Sequence, residues 1–68
     1  MNIDLANSFT YHPPQEGQPQ RYEEIRAAGR DFAEIIVGEV SDSRERTLAI
    51  GKIEEAVFWA NAGIARNE

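Results

Sequence analysis

Two stripes of largely apolar residues at helical spacing constrain this chain more than any other feature of its sequence. In both stripes, successive members are separated by 3, 4, 3 and 4 residues. The stripes are Tyr22, Ile25, Gly29, Phe32 and Ile36, followed by Ile50, Ile53, Val57, Ala60 and Ile64. Residues at these steps lie on one side of an α-helix, so the sequence predicts two amphipathic helices, over 20–40 and 43–65.

A short polar interruption separates the two predicted helices. Asp42, with Glu45 three residues later, forms a helix start that resembles a capping box, with Asp in place of the usual Ser or Thr. Ser41 is an alternative N-cap. Helices joined by so few residues form an antiparallel hairpin. The predicted fold class is therefore all-α, with a single helical-hairpin domain over 1–68.

An N-terminal segment precedes the hairpin. All three prolines lie within 11–20, and proline restricts the residue before it to extended conformations, so we predict a stiff elbow there. Upstream, a short helical turn with Asp4 as its N-cap would gather apolar residues on one side. These residues are Ile3, Leu5, Ala6 and Phe9. The segment and elbow together occupy 1–19.

A chain of 68 residues needs more than its own core. Domains this small rarely gain more than about 3–5 kcal/mol from one core without a disulfide, a metal or a partner chain. The sequence has no cysteine and one histidine, which excludes disulfides, thiolate zinc sites and His-rich metal sites. Phe58 and Trp59 are adjacent and point about 100° apart, so they cannot both face one neighbouring helix. We therefore predict a homo-oligomer.

The charge balance restricts the possible partners. Twelve acidic and seven basic residues give a net charge of −5, which disfavours binding to a DNA or RNA polymer and to an anionic membrane. No apolar run is long enough to span a membrane, and the first residues lack the pattern of a signal peptide, so we expect a soluble intracellular protein. Six of the basic residues are arginine, which suits capture of a small phosphate-bearing ligand in a local pocket.

No catalytic centre is evident in the sequence. His12 is the single histidine and lies in the elbow, where no nucleophile is identifiable, so a local loop contact is the simpler interpretation. The many glutamates are typical of solvated helix faces. No phosphate-binding glycine loop or metal-ligand spacing is present. We predict a protein that is not an enzyme, with no catalytic residue, metal or cofactor.

One aromatic residue and three arginines form the best candidate for a binding group. They are Tyr11, Arg26, Arg30 and Arg66. The prolines after Tyr11 limit its motion, and a fixed aromatic ring can stack on a nucleobase. Arg26 and Arg30 lie one helical turn apart and suit phosphate groups. The alternative is that Tyr11 is a small hydrophobic cap and that the arginines are surface ion-pair partners of Glu23 and Glu34.

Four motifs, in order, closely resemble one helical-hairpin family. They are Phe9-Thr10-Tyr11-His12-Pro13-Pro14, Arg21-Tyr22-Glu23 with Ile25-Arg26, Asp42-Ser43-Arg44-Glu45, and Lys52-Ile53-Glu54-Glu55-Ala56-Val57-Phe58-Trp59-Ala60-Asn61-Ala62 with Ile64-Ala65-Arg66-Asn67. The family contains the phage proteins that sequester cyclic oligonucleotides and so defeat CBASS, a bacterial cyclic-oligonucleotide-based anti-phage signalling system. A related hairpin occurs in a sponge directed against Thoeris signalling. The resemblance covers 9–67.

The resemblance implies a homohexamer that binds its messenger without cleaving it, in the bacterial host cytoplasm during infection. It implies that a cyclic dinucleotide such as 3′,3′-cyclic GMP–AMP lies between protomers, with Tyr11 stacking on the bases and Arg26 contacting the phosphates. It also implies a separate pocket for cyclic trinucleotides, involving Arg66 and first-helix positions around Ala28. Some relatives carry a hydroxyl residue where this chain has Ala28. Arg30 is a candidate from helix spacing and not from the family.

Two other classes of function remain open at this point. A structural or adaptor hairpin would have no nucleotide ligand and would tolerate replacement of Tyr11. A phosphodiesterase would degrade the messenger and not hold it.

Overall fold

The computed structural model describes residues 4–68 and contains three α-helices over that range. The helices are α1 (Leu5–Phe9), α2 (Gln18–Glu39) and α3 (Arg44–Asn67). α2 and α3 pack along each other as a hairpin, and no strand occurs within 4–68. The prediction of an all-α helical hairpin with a short N-terminal helix is confirmed. Ile3, which we assigned to the N-terminal apolar side, lies outside the described residues.

The first long helix begins at Gln18, two residues before the predicted start at 20. Gly17 precedes it in the left-handed region, with φ +83°, a conformation that glycine adopts without steric cost. Pro19 lies in the first turn, where its missing N–H costs no intrahelical hydrogen bond. The third proline therefore belongs to α2 and not to the elbow.

Ser43 is the N-cap of α3, which begins at Arg44, and the prediction of Asp42 or Ser41 as its cap is wrong. Ser43 is extended, and its Oγ accepts a hydrogen bond from the backbone N–H of Arg46 at 3.1 Å. Asp42 instead lies 3.3 Å from the Arg46 guanidinium. The same guanidinium donates to the carbonyl of Val40 at 3.2 Å, which fastens the loop to the end of α2.

An ion pair joins the two long helices at the open end of the hairpin, between Arg21 of α2 and Glu68, which follows α3. The guanidinium donates two hydrogen bonds to the carboxylate, one of them at 3.1 Å. These hydrogen bonds hold the pKa of the Glu68 carboxyl below its ordinary value. Both side chains are largely exposed, so the ion pair adds little to stability at moderate salt.

The two long helices approach closely at Gly29. A Cβ atom at this position would lie 2.5 Å from Cγ2 of Val57 and 3.6 Å from Cγ2 of Ile53. Backbone and side chain are therefore in direct contact where the two predicted stripes meet. At Gly51, on α3, no atom of the described residues outside its own helical turn lies within 4 Å of the equivalent point.

We expect Gly29→Ala to destabilise the protein by about 1–3 kcal/mol, because the added methyl group overpacks the contact with Val57. Gly51→Ala is the matched control: it adds the same methyl group inside a helix in open space, where alanine is favoured by about 1 kcal/mol. Thermal unfolding followed by circular dichroism measures both. A Gly29→Ala variant as stable as wild type would contradict the close approach.

A single chain buries very little apolar surface. Within residues 4–68 the buried positions are Ile64, 9% exposed, and Gln18, 4% exposed, and no large side chain in that range is fully buried. Phe32 is 54% exposed although it belongs to the first stripe, and Phe58 and Trp59 are 59% and 55% exposed. Further large apolar side chains are exposed as well: Leu5, Phe9, Ile35, Val37, Val40 and Leu48. The hairpin thus leaves apolar surface on more than one side uncovered.

Candidate functional site

Polar contacts within the N-terminal segment fix its conformation near Tyr11. The Asp4 carboxylate accepts a hydrogen bond from the backbone N–H of Asn7 at 3.1 Å, so the predicted cap of α1 is confirmed. His12 donates from Nε2 to the carbonyl of Asn7 at 2.9 Å. This local contact agrees with the simpler interpretation of the single histidine. Tyr11, between these contacts, leaves 80% of its surface exposed.

Gln18 anchors the other end of the elbow. Its side-chain oxygen accepts hydrogen bonds from the backbone N–H of Gln15 at 3.0 Å and from the hydroxyl of Tyr22 at 3.2 Å. Burial of a polar side chain with satisfied hydrogen bonds locks the elbow against the first turn of α2. Sequence reasoning missed this residue because glutamine is usually exposed and no motif marked it.

A groove of about 550 Å³ lies where the elbow meets the hairpin. Tyr11 lines it from the elbow, Arg26 from α2 and Arg66 from the end of α3. Glu54, Phe58 and Asn61 of α3 line it as well. We call it the Tyr11 groove. It brings together three of the predicted site residues, which come from three separate parts of the chain.

Both arginines of the Tyr11 groove have partners within the chain. The Arg26 guanidinium lies 2.8 Å from the Glu23 carboxylate, and these side chains are 56% and 76% exposed. An ion pair this exposed is worth about 1 kcal/mol or less, so a phosphate group can displace the glutamate. The Arg66 guanidinium lies 5.9 Å from the centre of the Trp59 ring, a cation–π contact that holds it over the indole.

Arg30 lies outside the Tyr11 groove. It lines a neighbouring groove of about 680 Å³, together with Arg26 and Glu54, which line both grooves. Its Nε donates to the Glu34 carboxylate at 3.0 Å, and the Arg30 side chain is 82% exposed. The surface ion pairs of Arg26 with Glu23 and of Arg30 with Glu34, which the alternative interpretation predicted, are thus formed. Both guanidinium groups nevertheless stay accessible to solvent.

Ala28 lies on a different side of α2. It is about 200° around the helix from Arg26 and lines a third groove of about 630 Å³, with apolar Phe32, Ile36 and Ala56 among its walls. Arg66 does not line that groove. One chain therefore does not bring the two proposed trinucleotide residues, Ala28 and Arg66, into one site.

Apart from Arg66, sequence reasoning did not assign the α3 residues of the Tyr11 groove to a binding site. Glu54, Phe58 and Asn61 follow each other at steps of 4 and 3, which places them on one face of the helix. That spacing was available in the sequence, but Glu54 was grouped with the solvated glutamates. The Oδ1 atom of Asn61 is buried and has no hydrogen-bond partner within residues 4–68.

The described part of the chain offers no group of three or more histidine or acidic side chains that could hold a metal ion. In the same range, no helix combines the length and the apolar content needed to cross a membrane.

The fold and the groove define a class of small helical-hairpin proteins that present an exposed aromatic ring beside arginine side chains. The chain belongs to the Acb2/Tad1 hairpin domain family, whose family model matches residues 1–65. This confirms the resemblance that the four motifs show. Membership points to a phage anti-defence role of the sponge type, in which the protein binds its target and does not process it. No match to the chain was found among curated proteins or among solved structures.

Proposed function

We propose that this protein binds and sequesters cyclic di- and trinucleotide messengers without cleaving them, and so blocks CBASS immunity in the bacterial host cytoplasm during phage infection. One observation carries the proposal: Tyr11, Arg26 and Arg66 line a single groove in a chain that belongs to the Acb2/Tad1 hairpin domain family.

The groove offers a stacking surface and cations. His12 and the hydroxyls of Ser8 and Thr10 line it as well, but among the described residues His12 bonds the carbonyl of Asn7 and no hydroxyl. A histidine held in this way does not activate a nucleophile, which favours capture over catalysis.

Each part of a cyclic dinucleotide has a matching group in the groove. The exposed ring of Tyr11 takes the face of a nucleobase, a contact worth about 1–3 kcal/mol per base. The Arg26 guanidinium leaves its weak ion pair with Glu23 and donates charge-assisted hydrogen bonds to the oxygens of a phosphate group. Arg30, one turn further along α2, adds positive potential in the neighbouring groove, which shares Arg26 with the Tyr11 groove.

A second copy of the chain is needed to close the site. The Tyr11 groove is open to solvent in a single chain, and Phe58 at its wall is 59% exposed. A homohexamer covers the apolar surfaces that the hairpin leaves exposed, and it encloses the ligand between protomers. Burial of these surfaces supplies the stability that 68 residues cannot gain alone.

A cyclic trinucleotide occupies a second pocket in this proposal. Because Ala28 and Arg66 line different grooves of one chain, a pocket that uses both is built from more than one protomer. Ala28 supplies no hydroxyl group to that pocket, so it contributes shape and not a hydrogen bond.

The test separates three classes of function in one experiment. The protein is incubated with a limiting amount of 3′,3′-cyclic GMP–AMP, the free messenger is measured, and the protein is then denatured by heat. Depletion followed by recovery of intact messenger supports sequestration. Depletion followed by loss of the messenger indicates a phosphodiesterase, and no depletion at all indicates a structural hairpin.

We expect Arg66→Ala to weaken cyclic trinucleotide binding by about tenfold to a hundredfold, the effect of one charge-assisted hydrogen bond. Although Arg66 lines the Tyr11 groove, its guanidinium lies over the ring of Trp59, which does not line that groove. We therefore expect dinucleotide binding to be largely unchanged. Calorimetric titration of each ligand into the variant measures both affinities. Equal loss of the two ligands, with the oligomer intact, would show that both use the Tyr11 groove.

A further inference from the structure

One carboxylate lies in the groove that we assign to an anionic ligand. Glu54 is the only acidic side chain among the described residues that line the Tyr11 groove, and it faces the same space as Arg26. A negative charge beside a phosphodiester weakens binding unless the carboxylate meets hydrogen-bond donors of the ligand. In a 3′,3′-cyclic dinucleotide these donors lie on the edges of the bases and on the ribose 2′-hydroxyls, and only the base edges differ between guanine and adenine.

We propose that Glu54 determines base specificity by accepting hydrogen bonds from the Watson–Crick edge of guanine; this inference rests on the proposed function. Guanine presents two adjacent donors, N1–H and the N2 amino group, which match the two oxygens of one carboxylate. Adenine presents one donor and one acceptor on the same edge. A carboxylate that accepts a hydrogen bond from N6 of adenine therefore has its second oxygen facing the lone pair of N1, which is repulsive.

The groove separates the three tasks of recognition. In this proposal Tyr11 on the elbow meets the face of a base and Arg26 on α2 meets a phosphate. Glu54 on α3 lines the same groove and is the group left to meet the edge of the base. Glu54 and Asn61 are seven residues apart, two turns along the same face of α3. Asn61, whose Oδ1 has no hydrogen-bond partner within residues 4–68, gives this wall a second polar group about 10 Å further along α3.

The test compares Glu54→Gln with Glu55→Gln in the full chain. Both variants remove one negative charge from the same turn of α3, but Glu55 does not line the groove and lies 3.6 Å from Lys52. Cyclic di-GMP and cyclic di-AMP are titrated into each protein by calorimetry. Light scattering checks that the oligomer is unchanged.

Wild type is expected to bind cyclic di-GMP about tenfold to a hundredfold more tightly than cyclic di-AMP. Glu54→Gln should lose most of this preference, because an amide offers one donor and one acceptor and so matches adenine. Glu55→Gln should keep the preference.

The inference is overturned if Glu54→Gln tightens both ligands by the same factor, since Glu54 would then act only by repelling phosphate. It is also overturned if the two variants behave alike. A wild-type protein that binds neither dinucleotide would instead overturn the proposed function itself.

Discussion

Replacing Tyr11 by alanine is expected to lower the affinity for 3′,3′-cyclic GMP–AMP by about tenfold to a hundredfold, since each stacked base contributes about 1–3 kcal/mol. A ligand held between protomers contacts symmetry-related copies of Tyr11, so one substitution removes more than one stacking contact. The loss of ligand binding can therefore be almost complete. Calorimetric titration of wild type and variant measures the effect.

Tyr11→Phe is the control for this prediction. It keeps the aromatic face and removes only the hydroxyl, so it should bind within a few-fold of wild type. Tyr11 is 80% exposed and makes few contacts in its own chain, so neither variant should disturb the hairpin. A Tyr11→Ala oligomer of unchanged size that binds as tightly as wild type would disprove the stacking assignment.

Trp59→Ala is expected to dissociate the oligomer. In one chain the indole is 55% exposed and packs edge to face on Phe58, with ring centres 5.1 Å apart. If a second protomer covers this surface, truncation costs about 3–5 kcal/mol, as in a protein core. Light scattering should therefore report a smaller species at micromolar concentration, with reduced thermal stability.

The oligomeric state of the wild-type protein decides this prediction. A folded wild-type monomer at micromolar concentration would contradict the oligomer directly. Trp59→Ala also removes the ring beneath the Arg66 guanidinium. Loss of trinucleotide binding in a variant that remains a full oligomer would therefore report on Arg66, and not on assembly.

Helical periodicity was sufficient to predict the hairpin, because amphipathic helices must bury their apolar stripes against each other. The stripes failed in detail at Phe32, which belongs to the first stripe and is nevertheless 54% exposed in a single chain. The ends of the helices were less predictable. Pro19 is as compatible with a first helical turn as with an elbow, and the cap of α3 depended on which hydroxyl reached a backbone N–H.

The motifs identified the family and singled out Tyr11, Arg26 and Arg66, because these residues carry the chemistry of stacking and of phosphate binding wherever the chain places them. Sequence alone did not show that they share a groove, since they are brought together by the elbow locked on Gln18 and by the crossing of α2 over α3. The same packing separates Ala28 from Arg66 and directs Glu54 toward Arg26. Residue types follow from the sequence, whereas their proximity depends on how two helices of given length pack against each other.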